Sequence, residues 1–306
     1  MLQIKPDPMI ERDFFGYGER LPNPQWPGGA HIAVNFNLNI EGGAERSLAH
    51  GDAESEGALN DVGMPSQPRR EPMVESAFEY GSRRGVWRVL DILDQHATPI
   101  SVFAVAQAIE RNPELARACV ARGHEIVSHG YRWLDYASLP EHAEREHIHL
   151  AIESLIRTTG VRPVGWMTGR PSANTRRLLA EVGGFLYDRD SLADELPYWL
   201  RMSSGPHLVI PCSYETNDNR CNEHNGFATA DDFFTYMKDS FDTLYAEGKR
   251  GSPKLLSIGL HDRLIGRPGR SAGLSRLLEH MRGVPNVWFC RGVDIAKHWR
   301  ERFPAR

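Results

Sequence analysis

Two histidines stand where apolar runs end. One closes Gly123-His124-Glu125-Ile126-Val127-Ser128-His129-Gly130, and the other follows Leu255-Leu256-Ser257-Ile258-Gly259-Leu260 as His261-Asp262-Arg263. An imidazole at the carboxyl end of a buried strand is placed for proton transfer near neutral pH or for holding a metal. His124, at the start of its run, reads as structural. A third segment, Asn35-Phe36-Asn37-Leu38-Asn39-Ile40-Glu41, puts Asn35, Asn37 and Asn39 on one face of a strand, because extended side chains alternate. Glu41 joins that face if the strand continues, and it is an alternative base. Buried amides must be paired, so the stack is either a structural ladder or a set of donors and acceptors for a polar ligand. Arg170, in Gly169-Arg170-Pro171-Ser172, is placed to orient a carboxylate or bind substrate, with Asp188 and Asp190 as the matching acids. Asp262 and Arg263 emerge beside His261, and Arg267 and Arg270 follow in a turn that is either a solvated surface turn or a guanidinium fork for recognising oxygen.

Those residues need a scaffold that brings strand ends together. Strand-like runs are expected at 31–38, 99–105, 125–128, 163–168, 184–187, 208–211, 254–260 and 286–290. Helical patterns fall between most of them, at 85–95, 114–122, 140–159, 174–182, 231–247, 272–281 and 293–302. Such alternation predicts an α/β fold with a parallel sheet and helices outside. One barrel over 30–306 is the expected domain, its site built from loops at the carboxyl ends of the strands. A doubly wound open sheet is the alternative, although no GxGxxG or GxxxxGK[ST] follows any strand. Residues 1–29, rich in proline, read as an extended arm whose aromatics (Phe14, Phe15, Tyr17, Trp26) lie on the same subunit or a neighbour. The long stretches 40–80 and 212–228, the second holding Asn217, Asp218, Asn219, Asn222 and Asn225, read as lids or site loops.

Composition narrows the function classes. Lys and Arg number 36 against 40 Asp and Glu, a formal charge of −4, which leaves nothing to neutralise phosphates and argues against nucleic acid. No apolar run reaches the ~20 residues of a membrane span, and the first residues lack the apolar core of a signal peptide. The four cysteines are widely spaced with no CxxC, so reduced thiols in the cytoplasm are expected, with a Cys212–Cys221 bridge as the alternative.

In their order along residues 30–300 these segments resemble the polysaccharide deacetylase superfamily, which implies its distorted (β/α) barrel. The family's first motif, an Asp-rich strand, is matched by Asn35-Phe36-Asn37-Leu38-Asn39. Its His-containing second motif is matched by His129-Gly130-Tyr131-Arg132-Trp133, its Arg-Pro motif by Arg170-Pro171-Ser172, and its final motif by Ile258-Gly259-Leu260-His261. Asn37 replaces the base and Asn39 a metal-binding Asp, and Trp133 replaces the second metal-binding His. A neutral amide is a poor Zn²⁺ ligand, so no metal and no cofactor are expected.

Longer segments, among them GHEIVSHGYRWLDY, TGRPSANTRRLL and SIGLHDRLIGRPGR, are similar to the cofactor-independent allantoinases of this superfamily and to the cyclic-imide hydrolases related to them. That resemblance implies ring-opening hydrolysis of a small cyclic amide, allantoin to allantoate first and an imide second, in a homotetramer. His129 and His261 are then the proton-transfer pair, with Glu41 and Arg170 assisting. Asn35, Asn37, Asn39, Asp188, Asp262 and Arg263 face substrate, and Trp133 covers one face of a planar ring. The competing readings are a metal-dependent deacetylase using His129, His261 and Glu41, and a binding protein that has lost catalysis.

Overall fold

The computed structural model describes residues 5–6, 12–224 and 226–305. The rest of the arm before Arg12, Asn225 and Arg306 lie outside them. The sheet is organised around β2 (Ile32–Ile40), every residue of which is buried. One edge of β2 pairs in parallel with β9 (Lys254–His261), so that Ile32 faces Lys254 and Asn39 faces His261. The other edge is shared: β10 (Val287–Phe289) covers Ile32–Val34, and β3 (Ile100–Ala104) covers Phe36–Ile40. From β3 the sheet continues through β4 (Glu125–Ser128), β5 (Gly165–Trp166), β6 (Tyr187–Asp188) and β8 (Gly205–Val209) to β7 (Tyr198–Met202), with β1 (Lys5–Pro6) at its edge. Every pairing is parallel except the β7–β8 hairpin.

The sheet curls into a half-barrel and leaves a seam between β8 and β9. Chain segments close it. The Gly259 amide donates to the Thr216 carbonyl at 2.9 Å, and the Leu255 amide donates to Glu195 at 3.0 Å. A Cβ on Gly259 would lie 2.2 Å from Asn217 Nδ2, so the seam closes at that point only over a glycine. This is the expected α/β barrel in distorted form.

Helices pack outside it. They are α1 (Pro72–Tyr80), α2 (Val86–Gln95), α3 (Ala106–Arg111), α4 (Pro113–Ala121), α5 (Glu141–Thr159), α6 (Thr175–Val182), α7 (Ala230–Lys249), α8 (Pro268–Arg282) and α9 (Gly292–Arg302). Their buried stripes follow helical spacing, as in Val86, Val89, Leu90 and Leu93 of α2. Thr229 caps α7: its hydroxyl accepts from the Asp232 amide and Asp232 answers from the third helical position. α5 has no such cap. Pro140 precedes it, and the Ser138 hydroxyl donates to the Asp135 carbonyl at 2.6 Å.

Three elements escaped the sequence pattern. The stretch 40–80 ends in α1, joined to α2 by one wide helical turn over Gly81–Gly85. The short α3 fills the gap between β3 and α4. The run expected at 208–211 is the end of a hairpin whose first strand, β7, was missed because its five residues, Tyr198-Trp199-Leu200-Arg201-Met202, are too few to show an alternating pattern. In the arm, Trp26 is buried and its Nε1 donates to the Lys254 carbonyl at 3.1 Å, while Phe14 and Phe15 stay 81% and 76% exposed. Cys212 and Cys221 are both free thiols. Among the described residues no helix is long and apolar enough to cross a membrane.

Candidate active site

β2, β4 and β9 deliver their last side chains to one point. Glu41, the residue after β2, is 1% exposed. Its Oε1 lies 3.1 Å from His129 Nε2 and 3.6 Å from His261 Nε2, and its Oε2 lies 2.6 Å from Arg263 Nη1. Burial works to raise the Glu41 carboxyl, but Arg263, His261 and His129 outweigh it and hold the group well below the usual carboxylate range. The Arg263 guanidinium is itself clamped. Nε donates to the Leu59 carbonyl at 2.7 Å, and its Cζ lies 4.5 Å from the centre of the Phe78 ring and 5.2 Å from that of Trp133.

The two imidazoles are held differently. His129 Nδ1 donates to the Met167 carbonyl at 2.7 Å, and its Nε2 is within hydrogen-bond reach of Glu41. Both ring nitrogens face acceptors, the arrangement of a proton donor. Gly169 adopts φ 78°, and a Cβ there would meet His129 Cε1 at 3.2 Å, so the loop after β5 passes the imidazole only as glycine. His261 Nδ1 pairs with Asp218 Oδ1 at 2.6 Å, while Asp218 Oδ2 accepts from the His261 and Ile265 amides at 2.7 and 3.2 Å. That leaves His261 Nε2 pointing at Glu41 from beyond hydrogen-bond distance, with a lone pair available to accept a proton.

These groups open into a cavity of about 70 Å³ lined by Asn37, Asn39, Trp133, Met167, Arg170 and Tyr214 among others. A larger cleft of about 370 Å³ runs along the seam between β8 and β9, but it holds carboxylates such as Glu195 and Glu215 and neither strand-end histidine. The chemistry, not the volume, marks the smaller cavity as the candidate site.

The other expected site residues separate into those at the cavity and those away from it. Arg170 is at the wall, its Cζ 4.4 Å from the centre of the Trp133 ring and its Nη1 3.6 Å from Glu56. Its acidic partner is therefore Glu56 and not Asp188. Asp188 lies away from the cavity, paired with Arg176 at 2.9 Å and His207 at 2.5 Å. Asp190 accepts from the Thr168 and Gly169 amides, and burial together with Asp188 pushes its carboxyl up to about 6. Asp262 is fully buried beneath the turn at Gly81 and accepts from the Arg263 amide at 2.7 Å.

The asparagine stack turns out to be mixed. Asn35 donates to Ser101 Oγ and the Cys290 carbonyl, and both Asn35 and Asn37 accept from Arg189. Asn35 thus faces a buried arginine and not the cavity. Asn39 donates to the Leu260 carbonyl at 2.9 Å and lines the cavity. Arg189 was absent from the sequence reading, and Asp218 entered it only as a member of the 212–228 loop, with no role of its own. The only signal for Asp218 was its place in an asparagine-rich loop after a strand. Arg189 carried none, because nothing local marks an arginine that folds into a barrel.

A divalent ion does not fit these donors. Among the described residues no group of three His, Cys, Asp or Glu side chains is arranged to hold one. Glu41 is already compensated by Arg263, and the Asn37 amide is engaged by Arg189 and Ser257. Trp133 packs on Phe78 with ring centres 5.9 Å apart.

A polysaccharide deacetylase family model matches residues 66–183. A Schizosaccharomyces pombe protein assigned to the polysaccharide deacetylases is 39% identical over 96% of this chain and 98% of its own length. The crystal structure of a PuuE allantoinase superposes with a TM-score of 0.94 at 53% identity, covering 97% of this chain and 99% of that one. A Pseudomonas aeruginosa PAO1 structure assigned to the polysaccharide deacetylases gives 0.94 at 52% identity, over 97% of this chain and 100% of that one. With its half-barrel and its strand-end histidines in the family's order, the chain belongs to the polysaccharide deacetylase family and is a hydrolase of carbon–nitrogen bonds.

Proposed function

We propose that the protein opens the ring of a small cyclic amide by hydrolysis without a metal, with allantoin to allantoate as the favoured reaction and a simple cyclic imide as the second. The observation that carries this reading is the differential seating of the two histidines around one carboxylate that Arg263 keeps ionised. His261, backed by Asp218, takes a proton from water at Nε2 as the oxygen attacks a ring carbonyl carbon. The carbonyl π pair moves onto oxygen, and Arg170 at the cavity wall stabilises that charge. Collapse of the tetrahedral adduct breaks the ring C–N bond, and His129 delivers its Nε2 proton to the departing nitrogen. Glu41, held ionised by Arg263, stabilises the imidazolium at each stage, and Trp133 covers a face of the planar ring. A five-membered ring amide suits a site without a Lewis acid because its carbonyl is more electrophilic, and its nitrogen leaves more readily, than in an acetamide. The similarity to a PuuE allantoinase supports the same substrate class.

The test is turnover of allantoin, hydantoin, succinimide and an N-acetylated chito-oligomer before and after exhaustive chelation. Ring opening that survives chelation is expected. Activity lost to chelator and restored by Zn²⁺, or deacetylation of the oligomer alone, overturns the proposal. A homo-oligomer, a tetramer first, is expected from the same relationship and is read by light scattering.

A further inference from the structure

The catalytic cavity, at about 70 Å³, is far below the ~300–1,000 Å³ of ordinary small-molecule pockets. It has room for a small planar ring and little else. Beside it lies a second space of about 510 Å³, and the two share the walls Met167, Gly169, Cys212 and Tyr214. Tyr214 divides them. It is 48% exposed, and its hydroxyl reaches the Gly169 carbonyl only at 3.4 Å, a long bond that a ligand can replace.

The second space is lined by adjacent opposite charges, Arg189 and Asp190, followed by Ser191, Leu192 and Ala193. Arg189 is fully buried, and its Nε has no hydrogen-bond partner. Its Nη1 and Nη2 are bound by neutral groups only: Asn35, Asn37, Ser257 and the Pro211 carbonyl. An anionic substituent placed here would meet Asp190, and a cationic one would meet Arg189. A neutral group with both N–H and C=O meets neither penalty and finds a complement for each of its own dipoles. An alkyl group would leave those dipoles without partners.

Resting on the cyclic-amide reading above, we infer that this second space is a substituent subsite: the ring sits among His129, His261 and Glu41, and a neutral carboxamide or ureido group on the ring passes Tyr214 into the space beside Arg189 and Asp190. Tyr214 is then a specificity-determining residue, and the preferred substrate is a substituted ring.

Leu192 and Ala193 are exposed positions on the far wall, so filling the space from there does not disturb the core. The experiment compares kcat/KM for allantoin, which bears a ureido group, for hydantoin, which has the bare ring, and for hydantoin-5-acetate, which bears an anion. The enzymes are wild type, Ala193→Trp, Leu192→Trp and Tyr214→Ala. Wild type is expected to prefer allantoin to both others by ~10-fold or more. Each tryptophan variant should lower the allantoin-to-hydantoin ratio at least ~10-fold, and Tyr214→Ala should narrow the preference for allantoin over hydantoin-5-acetate. Ring opening of all three substrates with ratios unmoved by either tryptophan overturns the subsite while sparing the cyclic-amide reading. Ring opening of none by wild type overturns both.

Discussion

One strand, β2, feeds two buried polar networks of very different character. The lower one joins Arg189 to Asn35, Asn35 to Ser101, and Ser101 to Glu125, whose second oxygen accepts from the Tyr187 hydroxyl at 2.7 Å. Apart from Arg189 Nε, its side chains are locked to one another by direct bonds. The upper one joins Glu41 to His129, His261 and Arg263 and leaves His261 Nε2 3.6 Å from Glu41, beyond hydrogen-bond distance. Both are buried and both combine charges with amides. What separates the candidate site from a strut is unspent hydrogen-bonding capacity on an imidazole, which can take up a proton, rather than on a guanidinium, which cannot.

The comparison is breakable from either end. His261→Ala should lower kcat ~10²–10⁴-fold, the usual cost of a lost general acid or base, in a variant that still folds. Asp218→Asn should act in the same direction by disturbing the tautomer. Near-native turnover of the alanine variant would show that the upper network is structural too. Asn35→Leu should do the reverse. It strips an acceptor from the buried Arg189 guanidinium and a donor from Ser101, at a cost of ~2–4 kcal/mol in unfolding free energy. The folded fraction should turn over hydantoin, which has no substituent to reach Arg189, at nearly the native rate, and a kcat loss as deep as that of His261→Ala would merge the two networks into one.

A smaller effect concerns pH. Burial pushes the Asp262 carboxyl up to about 7 from its ordinary value near 3.8. A raised acid contributes stability that is complete below about pH 4 and is lost as pH rises through about 7, since the unfolded chain gives up its proton first. Asp262→Asn removes that dependence and keeps an oxygen for the Arg263 amide. Unfolding free energies from denaturant titration should match wild type near pH 4 and exceed it at pH 8, by about 4 kcal/mol. A wild-type profile flat between those values would place the carboxyl in solvent contact. The smallest effect is expected at the arm. Replacing exposed Phe14 and Phe15 with serine should reduce the assembly size in light scattering with unchanged turnover per subunit, and an unchanged assembly would remove the arm from self-association.

How much of this was legible in the sequence follows the range of the interactions. Strand ends reveal themselves by a break in an apolar run, which is why Glu41, His129 and His261 could be named. Arg263 was legible as a neighbour of His261, but its grip on Glu41 depends on stacking between Phe78 and Trp133, which nothing adjacent in the chain announces. Asp218 sits in a loop without period, and it matters only because the seam brings that loop against β9. Asp188 was matched to the wrong arginine because the strand pattern gives both residues and not their directions. Arg176, the second residue of α6, wins that pairing with both Nε and Nη2.

The position of β2 has a further consequence, for the time course of folding. Its edge partner β9 lies more than two hundred residues downstream, with Ile32 set against Lys254. Parallel pairing at that separation carries a large loop-closure cost and slows folding. During synthesis β2 leaves the ribosome long before β9 exists, and the Asn37 and Asn39 amides, whose acceptors are Ser257 and Leu260, must remain in water until then. Until β9 arrives, a nascent chain holding Glu41 and His129 lacks His261, so proton-transfer competence and closure of the sheet arrive in a single late step.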